Sequence, residues 1–392
     1  MNTEIGAGVE RLRELDGLRA FALLGILAVN IWFFADPWTF AGEVSPAHAS
    51  ASDTAVRFLA TLLFEGKFYI LFSFLFGYSF ALQERAAQRA NVSLAPRTLR
   101  RLAGLAVLGL AHGILLYFGD ILLTYAVMGL ALLGLRIISP RAAVITAAGI
   151  TLAMATLLIL VGVVVAAVNI PMEEGAVPAP DVAAITAGPI SALAVNVENY
   201  LIALPSVLFF QGPLALAMFL LGHAAARKGV LERPVSSTAL RRTAIICLPI
   251  GLLAAGSQSY LLYYADRERF SLLATGITTL TAPLQTAGYV CLLLLLFRTP
   301  AGQAILGMLA PAGRMALTNY LVQSLALAVV FTGVGLGLTN ALPPAIVLGV
   351  VVVLFGAQLV LSRLWLSKFS IGPMEAVLRR VTYPSHEPKL RG

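Results

Sequence analysis

Residues 100–136, RRLAGLAVLGLAHGILLYFGDILLTYAVMGLALLGLR, decide how the chain is to be read. Two apolar runs flank a Phe118-Gly119-Asp120 break, and Arg100, Arg101 and Arg136 bracket the unit. Each run is near the roughly 20 residues a helix needs to cross a bilayer, so the stretch reads as a transmembrane hairpin turning at Gly119-Asp120. Its first run holds His112, the only histidine placed deep in a membrane-spanning helix. An imidazole in hydrocarbon loses its hydration, which makes such a residue a functional candidate by default. The rest of the chain then reads as the walls of a chamber around it.

Composition supports this frame. Of 392 residues 59% are hydrophobic and only 12% charged, about half the charged share of a soluble domain. The formal net charge of +8 is spread over short basic clusters between apolar runs. That distribution marks cytoplasmic loops and argues against a nucleic-acid partner, which requires a continuous basic face. Cys247 and Cys291 lie in apolar runs and read as buried thiols, and no metal-ligand spacing is present. The first apolar run begins with Asp16 and Arg19 and lacks a small-x-small cleavage site, so it reads as a retained span rather than a signal peptide.

In chain order the apolar runs predict about ten spans in one integral membrane domain covering residues 1–392, an all-α helix bundle. They run from about Gly17 to Phe34, Ala55 to Leu82, the two arms of the hairpin, Ala142 to Val168, Val197 to Ala224, Thr243 to Ala265, Leu272 to Phe297, Met315 to Thr332 and Pro344 to Ser362. The second is interrupted at Glu65-Gly66-Lys67, and residues 299–313 read as an interfacial stretch ending in a Gly313-Arg314 turn. Basic residues at Arg11 and Arg13, Arg85 to Arg101, Arg136 and Arg141, Arg227 to Arg242, and Arg363 to Arg380 fall on one side. The loops holding Asp36 and Asp53, and Glu173, Glu174 and Asp181, fall on the other. By the positive-inside rule both termini are cytoplasmic.

Polar residues at membrane depth supply the candidate site. His112 suits a general base, since imidazole titrates near neutral pH. At 1.5 Å per residue it lies about 18 Å from the inner end of its helix, in the outer half of the bilayer. Asp120 is separated from it by about 12 Å along a continuous helix, so contact requires the helix to break; Asp120 also suits a cap for the following helix. Glu65, about 14 Å deep, matches His112 in level, and Lys67 beside it brings both signs of charge into the membrane. Irregular backbone at such depth is tolerated where it lines a cavity. Asn30, Asn319 and Gln323 extend a polar path, the last two on one helix face. Arg19 and Arg314 suit phosphate clamps, because guanidinium pairs bidentately with phosphate oxygens. Gln211, Gln258, Gln285 and Gln358 read as interhelical glue, and Gly109-x-x-x-Gly113 as a close-packing face. His48, His223 and His386 are weaker candidates.

Six stretches carry a resemblance: RLRELDGLRAFALLGILAVN, FEGKFYILFSFLFGYSFAL, GLAHGILLYFGDILLTYA, GPLALAMFLLGHAAARKG, GRMALTNYLVQS and LWLSKFSIGPMEAVLRRVTY. In that order the chain resembles the YeiB-like family of bacterial inner-membrane proteins, which implies a multi-pass protein of that membrane. The family is distantly similar to transmembrane acyltransferases, among them lysosomal heparan-α-glucosaminide N-acetyltransferase and bacterial cell-surface sugar O-acetylases. Arg19 fits the arginine that opens the first span of the O-acetylases. Asn30 occupies the position of their catalytic histidine, so that assignment does not carry over. Val29-Asn30 matches the end of the first span of the heparan enzyme, whose active histidine follows in the outer loop, where His48 lies here without matching neighbours.

These readings lead to an expectation of acyl transfer. Acetyl-CoA or another acyl-CoA enters from the cytoplasm with its phosphates near Arg19 and Arg314. His112, oriented by Glu65 or Asp120, takes a proton from an extracytoplasmic or lipid-linked sugar, and Asn30, Gln323 or Lys67 stabilises the oxyanion. Membrane lipids surround the bundle, and a homodimer is left open. A transporter or flippase using the same polar path is the alternative.

Overall fold

Hydrocarbon leaves no water to satisfy backbone polar groups, so apolar runs of this length close their hydrogen bonds within helices. In the computed structural model residues 2–41, 43, 45–168, 180–232 and 235–383 are described, all helices and loops with no strand among them. The side chains of residues 2–12, 41 and 268 are not described either. Arg11, Glu173, Glu174, Arg233 and His386, singled out above, therefore lie outside the described side chains.

Helix α1 (Asn2–Ala35) leads through the single turn α2 (Trp38–Ala41) into α3 (Ala51–Leu63). Gly66, with φ +80°, then permits the sharp break before α4 (Phe68–Arg89). The hairpin is α5 (Leu94–Leu115) and α6 (Leu122–Leu135), followed by α7 (Pro140–Val168) and the short α8 (Val182–Thr186). Helices α9 (Pro189–Ser206) and α10 (Gly212–Arg227) are joined by a π-helical segment, Val207–Gln211, flanked by Pro205 and Pro213. Both prolines lack the amide hydrogen that a regular ladder needs. Beyond α11 (Ser237–Tyr263) and α12 (Arg267–Leu296), α13 (Pro300–Arg314) meets α14 (Ala316–Phe331) at an 80° bend, where the sequence placed its Gly-Arg turn. Helices α15 (Pro344–Lys368) and α16 (Pro373–Thr382) complete the described chain.

Among the described residues eight helical stretches are long and apolar enough to cross a membrane, and the bent pair makes a ninth. The remaining expected span is the second arm of the hairpin, but α6 has only 14 residues. That is about 21 Å of helix against a hydrocarbon core of about 30 Å.

Helix α1 occupies the centre. Of its apolar window 67% is buried, against 28–44% for the other long helices, and it packs on α4, α13, α14 and α15. Leu23, Leu27 and Ile31 along it are fully buried. Close backbone approach holds α4 to α10: a Cβ on Gly77 would sit 2.1 Å from the Phe219 carbonyl oxygen, and one on Gly222 2.0 Å from that of Phe74.

Contacts also sort the loops by end. At one end Arg85 pairs with Glu232, Arg227 donates to the Ile138 carbonyl, and Arg314 donates to the Ser370 carbonyl. At the other, His48 and Ser45 bond to Asn340, the Asn340 amide bonds to Ala35, and Arg57 pairs with Asp36. The first is called the basic end below, and the second the far end.

Candidate functional site

Helix α5 stops three residues after His112. The amides of Leu116 and Tyr117 both bond to the His112 carbonyl, turning the chain sharply enough to bring Asp120 back alongside the helix. Asp120 Oδ1 lies 2.8 Å from His112 Nδ1, while Oδ2 accepts from the Leu123 amide at 2.9 Å. One carboxylate thus serves as both imidazole partner and helix cap. The approach depends on Gly109, where a Cβ would meet the Leu123 nitrogen at 2.4 Å and Asp120 Oδ2 at 2.8 Å. A second glycine one turn on, Gly113, receives the Tyr200 ring.

On its other side His112 Nε2 lies 2.8 Å from Ser324 Oγ of α14. Asp120, His112 and Ser324 form a buried row, each 2% exposed. A carboxylate accepts, so the tautomer that donates from Nδ1 to Asp120 leaves Nε2 to accept from the Ser324 hydroxyl. The Tyr320 ring lies 4.9 Å from the imidazole, and its buried hydroxyl, near the Ile121 amide, makes no hydrogen bond of normal geometry.

Two cavities approach this row without including it. The far-end cavity, about 650 Å³, is lined by Asn30, Trp32, Arg57, Glu65 and Arg267 among many apolar side chains. The basic-end cavity, about 290 Å³, is lined by Arg19, Ser79, Gln83, Arg101, Arg314 and Glu375. Ile26, Ile121 and Tyr320 belong to both linings, so Tyr320 stands between the two spaces with His112 directly behind it.

Other sequence candidates divide between these spaces and the packing. Glu65 accepts from the Thr61 hydroxyl at 2.9 Å and faces Gln258 at 3.4 Å, so its partners are not His112. Lys67 is 1% exposed and donates to the Thr61 carbonyl. Asn319 is bonded to Ala312, Ser362 and Gln358, and Gln323 donates to Gln358 at 2.9 Å. The amide face expected to line a path is therefore interhelical glue between α14 and α15. Arg19 bridges Asp16 and Ser79 beside the basic-end cavity. His48 bonds to the Asn340 carbonyl, and His223 to Glu84 inside the bundle.

Ser324, Tyr320 and Arg57 were not singled out from the sequence, and Arg101 and Arg267 were read only as loop charges. Arg57 carried a usable signal, being a lone arginine inside a predicted span. Ser324 carried none, since a serine at a helix face is commonplace.

At the far end, Asp36 is partly buried beside Arg57 at 3.8 Å. Burial raises its carboxyl above the ordinary value of 3.8, and the guanidiniums of Arg57 and Arg267 oppose that rise. Arg57 also lies 4.1 Å above the Trp32 ring and bonds to Thr39. The Nε and Nη1 of Arg267 are buried without a hydrogen bond among the described residues.

A helical membrane protein with two cavities meeting at one tyrosine is the class these features define. Its relatives agree in length and extent. It is 31% identical to uncharacterized protein YeiB of Escherichia coli, over 97% of this chain and 99% of that one. It is 30% identical to uncharacterized protein YxaH of Bacillus subtilis, over 97% and 96%. A third relative, an uncharacterized 39.9 kDa protein of Bacillus acidopullulyticus, is 28% identical over 97% and 96%. Residues 225–385 match the family described as protein of unknown function DUF418. The chain belongs to this YeiB-like family. No solved structure matches it.

Proposed function

We propose that the protein is a transmembrane acyltransferase, with its basic end cytoplasmic, moving an acyl group from acyl-CoA to an extracytoplasmic or lipid-linked sugar. The carrying observation is the pair of cavities that abut at Tyr320, one with three arginines on its wall. Arg19, Arg101 and Arg314 offer a phosphate-bearing donor its counter-charge, and the thioester reaches inward to the junction.

The proton chemistry falls to His112. When Tyr320 swings aside it loses no regular hydrogen bond, and the imidazole is uncovered at the junction. The acceptor hydroxyl or amine attacks the thioester carbonyl, and its proton passes to Nε2. The carbon–sulfur bond then breaks, and the leaving thiolate takes the proton back. Asp120 stabilises the transient imidazolium, a general acid–base role worth about 10²–10⁴ in rate. Asn30, on the far-end wall, supports this reading as a donor to the oxyanion or the acceptor. Gln323 and Lys67, both committed to packing bonds, are withdrawn as oxyanion donors.

A specific observation favours transport as the second reading. Three interrupted helical stretches, at residues 64–67, 207–211 and 315, resemble the discontinuous helices around transporter sites. Purified protein in nanodiscs with radiolabelled acetyl-CoA and a panel of sugars tests the choice. Label transferred by the wild type and lost in His112→Ala is the expected result. Uptake of an unmodified solute into proteoliposomes, with no transfer under any condition, would replace it with the alternative.

A further inference from the structure

The far-end cavity holds more cationic than anionic side chains on a mainly apolar wall. Arg57 and Arg267 face it, with Glu65 the only carboxylate on the lining among the described residues. Behind that wall Asp36 sits against Arg57, and Lys67 sits one residue beyond Gly66 from Glu65. Among the described side chains three cations thus meet two carboxylates, a surplus of one positive charge. Arg57 already has Asp36, Thr39 and the Trp32 ring. Arg267 has the Tyr263 ring 5.7 Å from its guanidinium, but its Nε and Nη1 are buried with no hydrogen-bond partner among the described residues, which costs free energy. Around these charges the wall is aromatic and aliphatic, with Phe33, Phe40, Phe64, Phe210 and Leu272 among its members. At about 650 Å³ the space lies in the range that accommodates a drug-sized molecule.

We infer that this cavity binds the phosphodiester of a lipid-linked sugar, with the phosphate on Arg267 and Arg57 and the first isoprenoid units along the aromatic wall. A phosphodiester carries one negative charge, which matches the surplus. A guanidinium fork receives two of its oxygens side by side. The aromatic and aliphatic lining accounts for the tail, and Asn30 and Glu65 offer hydrogen bonds to sugar hydroxyls. The inference rests on the acyl-transfer reading only in calling this ligand the acceptor; binding itself requires no donor.

The test is equilibrium binding to the full chain in nanodiscs without acyl-CoA, using farnesyl-phosphoryl-glucose, the uncharged farnesyl glucoside, and glucose 1-phosphate. The phosphodiester is expected to bind at least tenfold more tightly than either comparator. Arg267→Gln should remove its advantage over the glucoside while leaving glucoside binding intact, which also shows that the variant is folded. Arg267→Lys should restore part of the advantage. Equal affinity for phosphodiester and glucoside, or an advantage untouched by Arg267→Gln, overturns the inference. Glucose 1-phosphate binding as tightly as the phosphodiester overturns its lipid part. Because no acyl donor is present, a failed transfer assay and a failed binding assay remain separate outcomes.

Discussion

At the residue scale the Asp120 carboxylate is the most exacting group, because its two oxygens do different work. Asp120→Asn removes the negative charge that holds His112 Nδ1–H and stabilises an imidazolium, while an amide oxygen can still cap α6. The expected outcome is a fall in kcat for acyl transfer of about 10²–10⁴-fold with KM for acetyl-CoA unchanged. An unaltered kcat would reduce the pair to a structural contact. The sequence hid this contact because a continuous helix sets residues 112 and 120 about 12 Å apart, and only the doubled bond on the His112 carbonyl ends the helix early enough. Asp36 gives the residue-scale pH prediction. Its carboxyl is raised by burial, so on acidification it loses its charge while the phosphodiester keeps its own. Neutralising it frees Arg57 and increases the positive surplus felt from α3, α12 and the His48 loop. Phosphodiester binding should therefore tighten as pH falls toward and through the Asp36 range, above 3.8, and Asp36→Asn should flatten that rise.

At the element scale the hairpin is held by small residues, and a pair of glycine replacements separates packing from helix propensity. Gly109→Ala drives a methyl into the α6 backbone and the Asp120 carboxylate. It should cost roughly 1–3 kcal/mol, read as a lowered Tm in detergent, with activity falling as Asp120 is displaced. Gly149→Ala, on exposed lipid-side α7 with nothing within 4 Å of the new methyl, should stabilise by about 0.5–1 kcal/mol. Much of this level was legible in the sequence. The Glu65-Gly66-Lys67 break, the Gly-Arg turn and the Gly109/Gly113 face all rest on local chemistry, and each is found. What periodicity could not supply was the destination of a polar face: Asn319 and Gln323 share a side of α14, but that side meets Gln358 and Ser362 rather than a cavity. A short helix inside an apolar stretch was equally hidden, since composition alone does not say that α6 stops after 14 residues.

At the scale of the whole molecule, charge asymmetry does what no single residue can, because it predicts which cavity meets which compartment. The basic clusters gather at the end that holds Arg19, Arg101 and Arg314, while the far end carries Asp36, Asp53 and the larger cavity. Positive-inside topology then gives the smaller cavity to the cytoplasm, where acyl-CoA is found, and the larger one to the outside. Cysteine labelling in intact cells checks this directly, once Cys247 and Cys291 are replaced by alanine. A cysteine at exposed Ser52, beside the far-end cavity, should react with a membrane-impermeant maleimide from outside. One at exposed Gln88, at the end of α4 near the basic cluster, should react only after permeabilisation. The reverse pattern would turn the three-arginine cavity toward a compartment without acyl-CoA. The donor assignment would fall with it, while the hydrogen-bonded row of Asp120, His112 and Ser324 would still need a function.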